Sequence, residues 1–134
     1  MLSIYRLVTQ NYWEKMMDID SPSGYFSNFG MSISIDGIHG DNFIVGASAY
    51  NYYQGIVYIY NRMSESSWKL AGTIQSPVGR GQGFGSSVSL SENFAAVGTF
   101  SQFGNAISTH LALHSVLNLI APSFYFNRSH GVYI

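Results

Sequence analysis

The chain has 134 residues, of which 46% are hydrophobic and 16% aromatic, while only 10% are charged. An average soluble domain carries roughly 25% charged residues, so this composition excludes a disordered acidic or basic segment. The net charge of −1 argues against nucleic-acid binding through phosphate neutralisation. Because the sequence contains no cysteine, disulfides, a thiolate zinc site and a thiol nucleophile are also excluded.

Membrane insertion is not expected, because no stretch approaches the roughly 18 consecutive apolar residues that a spanning helix needs. The first fifteen residues also lack the apolar core of a signal peptide, since Tyr5, Arg6 and Thr9 interrupt them. By itself, therefore, this sequence directs the chain to no compartment.

An internal repeat with a period of 55 residues organises the sequence. The shift aligns residues 13–35 with residues 68–90 and gives 9 identities over 23 positions, far above chance. The identical pairs are Trp13/Trp68, Ile19/Ile74, Ser21-Pro22/Ser76-Pro77, Gly24/Gly79, Phe29-Gly30/Phe84-Gly85, Ser32/Ser87 and Ser34/Ser89. Beyond Leu90 the offset falls to 52, since Val45-Gly46 aligns with Val97-Gly98. A fixed period of this size predicts a repeat architecture.

Each repeat has the pattern of four short strands. Residues 1–20 predict the last two strands of one unit, and residues 29–35 alternate apolar residues with serine, as a strand buried on one face does. Residues 42–45 are nearly all apolar, which is typical of a strand buried on both faces. Further strands are predicted over residues 54–60, 67–74, 84–90 and 93–97. The fold class is therefore all-β, with antiparallel four-stranded units.

The order of these motifs resembles the FG-GAP repeat. Its Phe-Gly pairs are Phe29-Gly30 and Phe84-Gly85, and its Gly-Ala pair is Gly46-Ala47, weakened to Gly98-Thr99. This family builds the seven-bladed β-propeller of integrin α-subunit head regions and of many extracellular and bacterial surface proteins. The spacing that includes Trp68 is most similar to the bacterial-type variant. The resemblance covers about residues 1–100.

The resemblance implies an incomplete propeller of about two to two-and-a-half blades. Residues 1–28 would end one blade, residues 29–83 would form a full blade, and residues 84–104 would start the next. Seven blades would need roughly 385 residues, so we expect either a fragment of a larger propeller or association between copies. Residues 105–134 are degenerate or unrelated to the repeat. Within them, degenerate strands and a helix over about residues 108–120 are both open.

The motif residues are expected to serve packing alone. Gly30 and Gly85 would allow close backbone approach or an unusual φ angle. Phe29 and Phe84 would fill the space between blades. Gly46 and Gly98 would let the second strand turn, and Trp13 and Trp68 would cover the outer strand.

Candidate metal and acid–base chemistry is weak. The resemblance implies a calcium site between the first two strands, where this chain offers Asp36 and Asp41. Two carboxylates are too few and too widely spaced, because calcium takes six to eight oxygen ligands, so no metal or other cofactor is expected. Asp18 and Asp20 alternate along an outer strand and would form a solvated face, with a general acid–base pair as the alternative.

Two further patterns fail on their chemistry. His110 and His114 have the spacing of a metal pair on a helix, but no carboxylate or third ligand lies nearby. Residues 79–85 are rich in glycine, yet they match no phosphate-binding motif and precede a strand instead of a helix. We expect them to form a flexible loop between blades.

The predicted function is a non-catalytic binding or scaffold module. The resemblance implies adhesion or recognition at a cell surface, outside the cell, with a protein or glycan ligand. The best binding candidate is the aromatic, polar loop of Tyr50, Asn51, Tyr52 and Tyr53, since tyrosine makes contacts at low entropy cost. The alternatives are a hydrolase-type enzyme with Asp36 or Asp41 at a propeller channel, and a truncated product without independent function.

Overall fold

The computed structural model describes residues 1–36, 40–77, 79–91, 94–100 and 114–115. Strands dominate this part of the chain, and every strand pairing is antiparallel. The all-β prediction is therefore confirmed. The strands are β1 (Leu2–Thr9), β2 (Tyr12–Ile19), β3 (Phe29–Ile35), β4 (Asn42–Ala47), β5 (Ile56–Ser64), β6 (Ser67–Gln75), β7 (Ser87–Ser91), β8 (Phe94–Gly98) and β9 (His114–Ser115). One short helical segment, α1 (Tyr50–Tyr53), joins β4 to β5.

The strands form three open sheets. β1 and β2 make a hairpin, β3 to β6 make a four-stranded sheet in chain order, and β7, β8 and β9 make a third sheet. Chain order in an antiparallel sheet means that each strand is joined to its neighbour by a local connection. The four-stranded sheet therefore spans one period of the repeat.

The four-stranded sheet lies between the other two sheets. On one face, Ile44 and Ile59 join a core cluster with Phe84 and Leu90 of the following segment. On the opposite face, a cluster that includes Val45 packs against Leu2, Ile4 and Met17 of the β1–β2 hairpin. Successive side chains of a strand point to opposite faces. This double burial explains why β4 and the first half of β5 are continuous apolar runs.

The repeat is present in the backbone as well as in the sequence. Under the 55-residue shift, residues 20–28, which connect β2 to β3, correspond to residues 75–83, which include the end of β6 and most of the β6–β7 connection. Left-handed residues occur at equivalent places in and just after the two connections. The pairs are Phe26 and Gly81 (φ 65° and 80°), Asn28 and Gly83 (58° and 55°), and Gly30 and Gly85 (90° and 86°). The two connections therefore share these three left-handed positions although they differ in side chains, whereas Gly24 (φ 74°) has no left-handed counterpart at Gly79.

Candidate binding site

The loop predicted to bind a partner has an unusual backbone. Asn51, Tyr52 and Tyr53 are consecutive residues with φ angles of 48°, 57° and 59°. Left-handed backbone costs a residue other than glycine about 1–2 kcal/mol. Strain of this kind persists only where the surroundings enforce it, and it concentrates at functional sites. We call residues 50–54 the tyrosine turn.

The glycine-rich β6–β7 connection holds the tyrosine turn from one side. The Gly81 amide donates to the Tyr52 carbonyl at 3.0 Å, and the Gly83 amide donates to the Tyr53 carbonyl at 2.6 Å. A third bond runs from the Phe84 amide to the Gln54 carbonyl at 3.3 Å. Both glycines are buried. The connection that we expected to be flexible is therefore packed against the turn.

Two further segments complete this end of the molecule. The Ala49 amide donates to the Ser27 carbonyl of the β2–β3 connection at 3.0 Å. The Tyr53 ring meets the Phe100 ring edge to face, with 6.4 Å between centroids. The β2–β3 connection, the β6–β7 connection and the segment after β8 therefore meet around the tyrosine turn.

The exposed chemistry of the turn combines phenol rings with one cation. Tyr52 is 74% exposed, and the guanidinium of Arg80 lies 4.8 Å from the centroid of its ring. Tyr50 is also exposed, whereas Tyr53 is half-buried against Phe100. An exposed cation–π pair contributes about 0.5–1 kcal/mol. Sequence reasoning missed Arg80, because only the fold brings the β6–β7 connection onto the turn.

A cleft of about 530 Å³ lies beside the β2–β3 connection. Its most exposed side chains are Tyr25 and Phe26, which are 95% and 96% exposed. The full lining is Met1, Asp20, Ser21, Gly24, Tyr25, Phe26, Ser27, Asn28 and Phe29. No motif in the sequence singled out this connection as a site. The sequence does contain one difference between the repeats that points to it. Where the second repeat has Arg80, Gly81 and Gly83, the first repeat has Tyr25, Phe26 and Asn28.

The two calcium candidates stand at the ends of the β3–β4 connection. The Asp36 amide donates to the Asn42 carbonyl at 2.8 Å, and an Asp41 carboxylate oxygen lies 3.7 Å from the guanidinium of Arg62. In the part of the chain that the structure describes, no group of three or more His, Asp or Glu side chains could hold a metal ion. The Asp41 carboxylate is therefore paired with a guanidinium.

The two outer-strand aspartates have different surroundings. The Ser3 hydroxyl donates to the Asp18 carboxylate at 2.6 Å, and the Lys15 ammonium donates to it at 2.9 Å. The Ser3 hydrogen bond and then the Lys15 hydrogen bond lower the pKa of Asp18 from its ordinary value. A carboxyl group held in its charged form is poorly suited to act as a general acid. Asp20, by contrast, lines the cleft.

The aromatic motif residues lie in unlike places. Phe84 is fully buried in the core between two sheets, while the Phe29 ring meets the Tyr58 ring edge to face at 5.6 Å. The Trp68 indole donates to the Gly40 carbonyl at 3.2 Å and is half-buried. Trp13, its counterpart in the first repeat, is 60% exposed.

The other motif residues lie in the strand pairings. Ala47 is fully buried and pairs with Phe29, and Gly98 pairs with Ser87. Of the segment after residue 104, the structure describes only His114 and Ser115, which form β9. The expected alternatives for residues 105–134, degenerate strands or a helix, otherwise lie outside the described residues. His110 also lies outside them, and so does the expected metal-pair spacing of His110 and His114.

Comparison of the chain with family models, with curated proteins and with solved structures gives no match. Among the described residues, no helix has the length and apolar character needed to cross a membrane. The fold and the loop geometry are therefore the basis for assigning a function.

Proposed function

We propose that this chain is a non-catalytic binding module built from FG-GAP-type β-propeller repeats, and that it forms part of a larger propeller. Its end loops would contact a protein or glycan partner at a cell surface. The support for the repeat type is the ordered set of motifs and the 55-residue period. The four-stranded sheet supports the comparison with a blade, since it spans one period in chain order.

The stacking of the sheets also supports the propeller proposal. Under the 55-residue shift, β1 and β2 correspond to β5 and β6, and β7 corresponds to β3. On this proposal the chain would hold the last two strands of one unit, a full unit and the start of the next, and the four-stranded sheet packs between the other two sheets. Repeat units of this kind bury their faces on their neighbours.

The observation that carries the binding proposal is the tyrosine turn. It holds three residues in strained left-handed backbone and exposes Tyr50 and Tyr52, with Arg80 over one ring. Tyrosine and arginine are enriched among the residues that dominate binding energy. A rigid turn that presents them loses little conformational entropy on binding.

The test is a binding screen of the full chain against glycan and cell-surface protein arrays. We expect the Tyr50→Ala/Tyr52→Ala variant to lose about tenfold or more in affinity for any partner found. The matched control is Tyr5→Ala/Tyr12→Ala, which removes two exposed phenols, 52% and 59% accessible, from the β1–β2 hairpin. Equal binding by the first variant and the wild type would refute the assignment of the turn.

A further inference from the structure

Arg80 differs from the other described arginines in what its guanidinium contacts. Arg6 and Arg62 each pair with a carboxylate, at 3.3 Å and 3.7 Å. Among the residues that the structure describes, no carboxylate pairs with Arg80. Its guanidinium lies instead 4.8 Å from the centroid of the Tyr52 ring. Both side chains are exposed, so an anion from solution can reach this positive charge.

The backbone fixes the position of Arg80 relative to Tyr52. The amide of Gly81, the residue after Arg80, donates to the Tyr52 carbonyl at 3.0 Å. The Gly83 amide donates to the next carbonyl, that of Tyr53. The ring and the guanidinium therefore belong to two segments that are bonded to each other. A ligand that contacts both groups orders less of the backbone than it would in two separate loops.

The charge of this surface matches a single carboxylate. Residues 50–54 and 79–83 contain Arg80 and otherwise only tyrosine, asparagine, glutamine and glycine. A guanidinium binds a carboxylate through two parallel hydrogen bonds, because its planar fork has the same geometry. A phosphate monoester carries a charge of about −1.5 to −2, and a nucleic acid presents a series of phosphates. Both need more cations than these two segments provide.

The neutral side chains of the surface suit a sugar better than a protein. The Asn51 side-chain amide donates to the Gln54 side-chain carbonyl at 2.6 Å. This bond uses one group of each side chain, so the Asn51 carbonyl and the Gln54 amide nitrogen are available to the hydroxyl groups of a ligand. The phenols of Tyr50 and Tyr52 can both donate and accept. The two segments contain no aliphatic residue, whereas the buried centre of a protein interface is mainly apolar.

We propose that the tyrosine turn and Arg80 bind a sugar that carries a carboxylate, such as a uronic acid in a glycan. The Arg80 guanidinium binds the carboxylate through two hydrogen bonds. Tyr52 is 74% exposed, so its electron-rich ring also contacts the C–H groups of the sugar. This inference rests on the proposed function, because it names the ligand class of the same turn.

The test compares two monosaccharides that differ only at one carbon. Methyl β-glucuronide has a carboxylate where methyl β-glucoside has a hydroxymethyl group. Each sugar is titrated into the full chain labelled with ¹⁵N, and the signals of the Gly81 amide and the Arg80 Nε–H group report binding. We expect a Kd of about 1 mM for the glucuronide. The glucoside should bind about tenfold more weakly, because it lacks the charge-assisted pair. Equal binding of the two sugars, or no shifts with the glucuronide, would overturn the proposal.

Arg80→Gln tests the cation itself. This variant should bind the glucuronide about tenfold more weakly than the wild type does, at the level of the glucoside. The matched control is Lys69→Gln, which removes the same charge from an exposed position on β6 and should bind as the wild type does. Equal losses in the two variants would show a response to net charge and would overturn the proposal. The comparison of the two sugars on the wild type decides the proposal even where a variant fails to fold.

Two further ligands distinguish the sugar from other sources of negative charge. A capped aspartate peptide that binds as tightly as the glucuronide would assign the site to acidic protein segments and would overturn the proposal. Tighter binding of methyl glucoside 6-sulfate would assign it to sulfate esters, with the same consequence. In both cases the turn remains a binding site, so the proposed function stands. The proposed function itself fails only where Tyr50→Ala/Tyr52→Ala binds its partner as the wild type does.

Discussion

Ser32 lies opposite Gly46 in the β3–β4 pairing, and its hydroxyl donates a 2.6 Å hydrogen bond to the Gly85 carbonyl of the next repeat. A side chain at position 46 would collide with both the Ser32 hydroxyl and the Gly85 carbonyl. Ser87 likewise lies opposite Gly98, where a side chain would collide with the Ser87 hydroxyl of the same sheet. At position 46, glycine is required by close approach between sheets as well.

Gly46→Ala should destabilise the protein by about 2–4 kcal/mol, because the added methyl group meets backbone that cannot move independently. The measurement is the free energy of unfolding from urea denaturation. Gly79→Ala is the matched control, since a Cβ at that position has no atom within 4 Å. Equal urea midpoints for the two variants would contradict this account.

Ser34 should contribute to stability through a bond between sheets. The Leu90 amide donates to the Ser34 hydroxyl at 2.9 Å, so Ser34→Ala leaves that amide without its partner and should cost about 1–2 kcal/mol. Ser89→Ala, the exposed counterpart in β7, should change the free energy of unfolding by less than about 0.5 kcal/mol. Thermal or urea unfolding compares the two, and a larger loss for Ser89→Ala would reverse the assignment.

Phe26→Gly should raise the free energy of unfolding by about 1 kcal/mol, because glycine relieves the left-handed strain at an exposed position. Tyr25→Gly is the neighbouring control. Tyr25 is equally exposed but does not have a positive φ angle, so glycine there should lower stability through the entropy of the unfolded chain. Effects of the same sign in both variants would argue against strain at Phe26.

Alkaline pH should destabilise the fold through its buried phenols. Burial raises the pKa of Tyr60 to about 12 and also raises the pKa of Tyr58 above its ordinary value. The unfolded chain loses these protons near pH 10, about two units before the folded Tyr60 does. Between these values the unfolded state binds fewer protons, so stability falls as pH rises.

Below about pH 10, this contribution to stability is therefore constant. The measurement is urea unfolding between about pH 8 and pH 11. Tyr60→Phe should flatten the decline, whereas Tyr12→Phe, which removes a phenol that is 59% exposed, should follow the wild type. An unchanged decline in Tyr60→Phe would contradict the role of that residue.

The isolated chain should self-associate through the exposed apolar side chains of β3. Met31, Ile33 and Ile35 are 72%, 45% and 55% exposed, whereas Val88 and Leu90, the counterparts of the two isoleucines, pack into a core cluster. Exposed apolar stripes of this kind mark contact surfaces.

Ile33→Ser/Ile35→Ser should shift the solution mass, measured by light scattering, towards the monomer. The control is Met63→Ser/Leu70→Ser, which changes two exposed apolar residues on β5 and β6. A wild-type monomer, or equal dissociation of both variants, would refute the prediction.

The strands and their repeat follow from the sequence by itself, because burial on one or both faces leaves a local pattern. The alternation of Ser32, Ile33, Ser34 and Ile35 predicted β3, and the apolar run before Gly46 predicted β4. These patterns depend on neighbouring residues only. They indicate the all-β class without any knowledge of tertiary contacts.

Only the tertiary structure decided which loops meet and what they expose. Arg80 lies over Tyr52 because the β6–β7 connection packs on the tyrosine turn, a contact between residues that no local pattern relates. The cleft at Phe26 and Asn28 depends on left-handed φ angles. Glycine at the equivalent positions of the second repeat indicates such angles in the sequence, whereas phenylalanine and asparagine in the first repeat do not. Backbone strain is enforced by packing, and packing is a property of the whole fold.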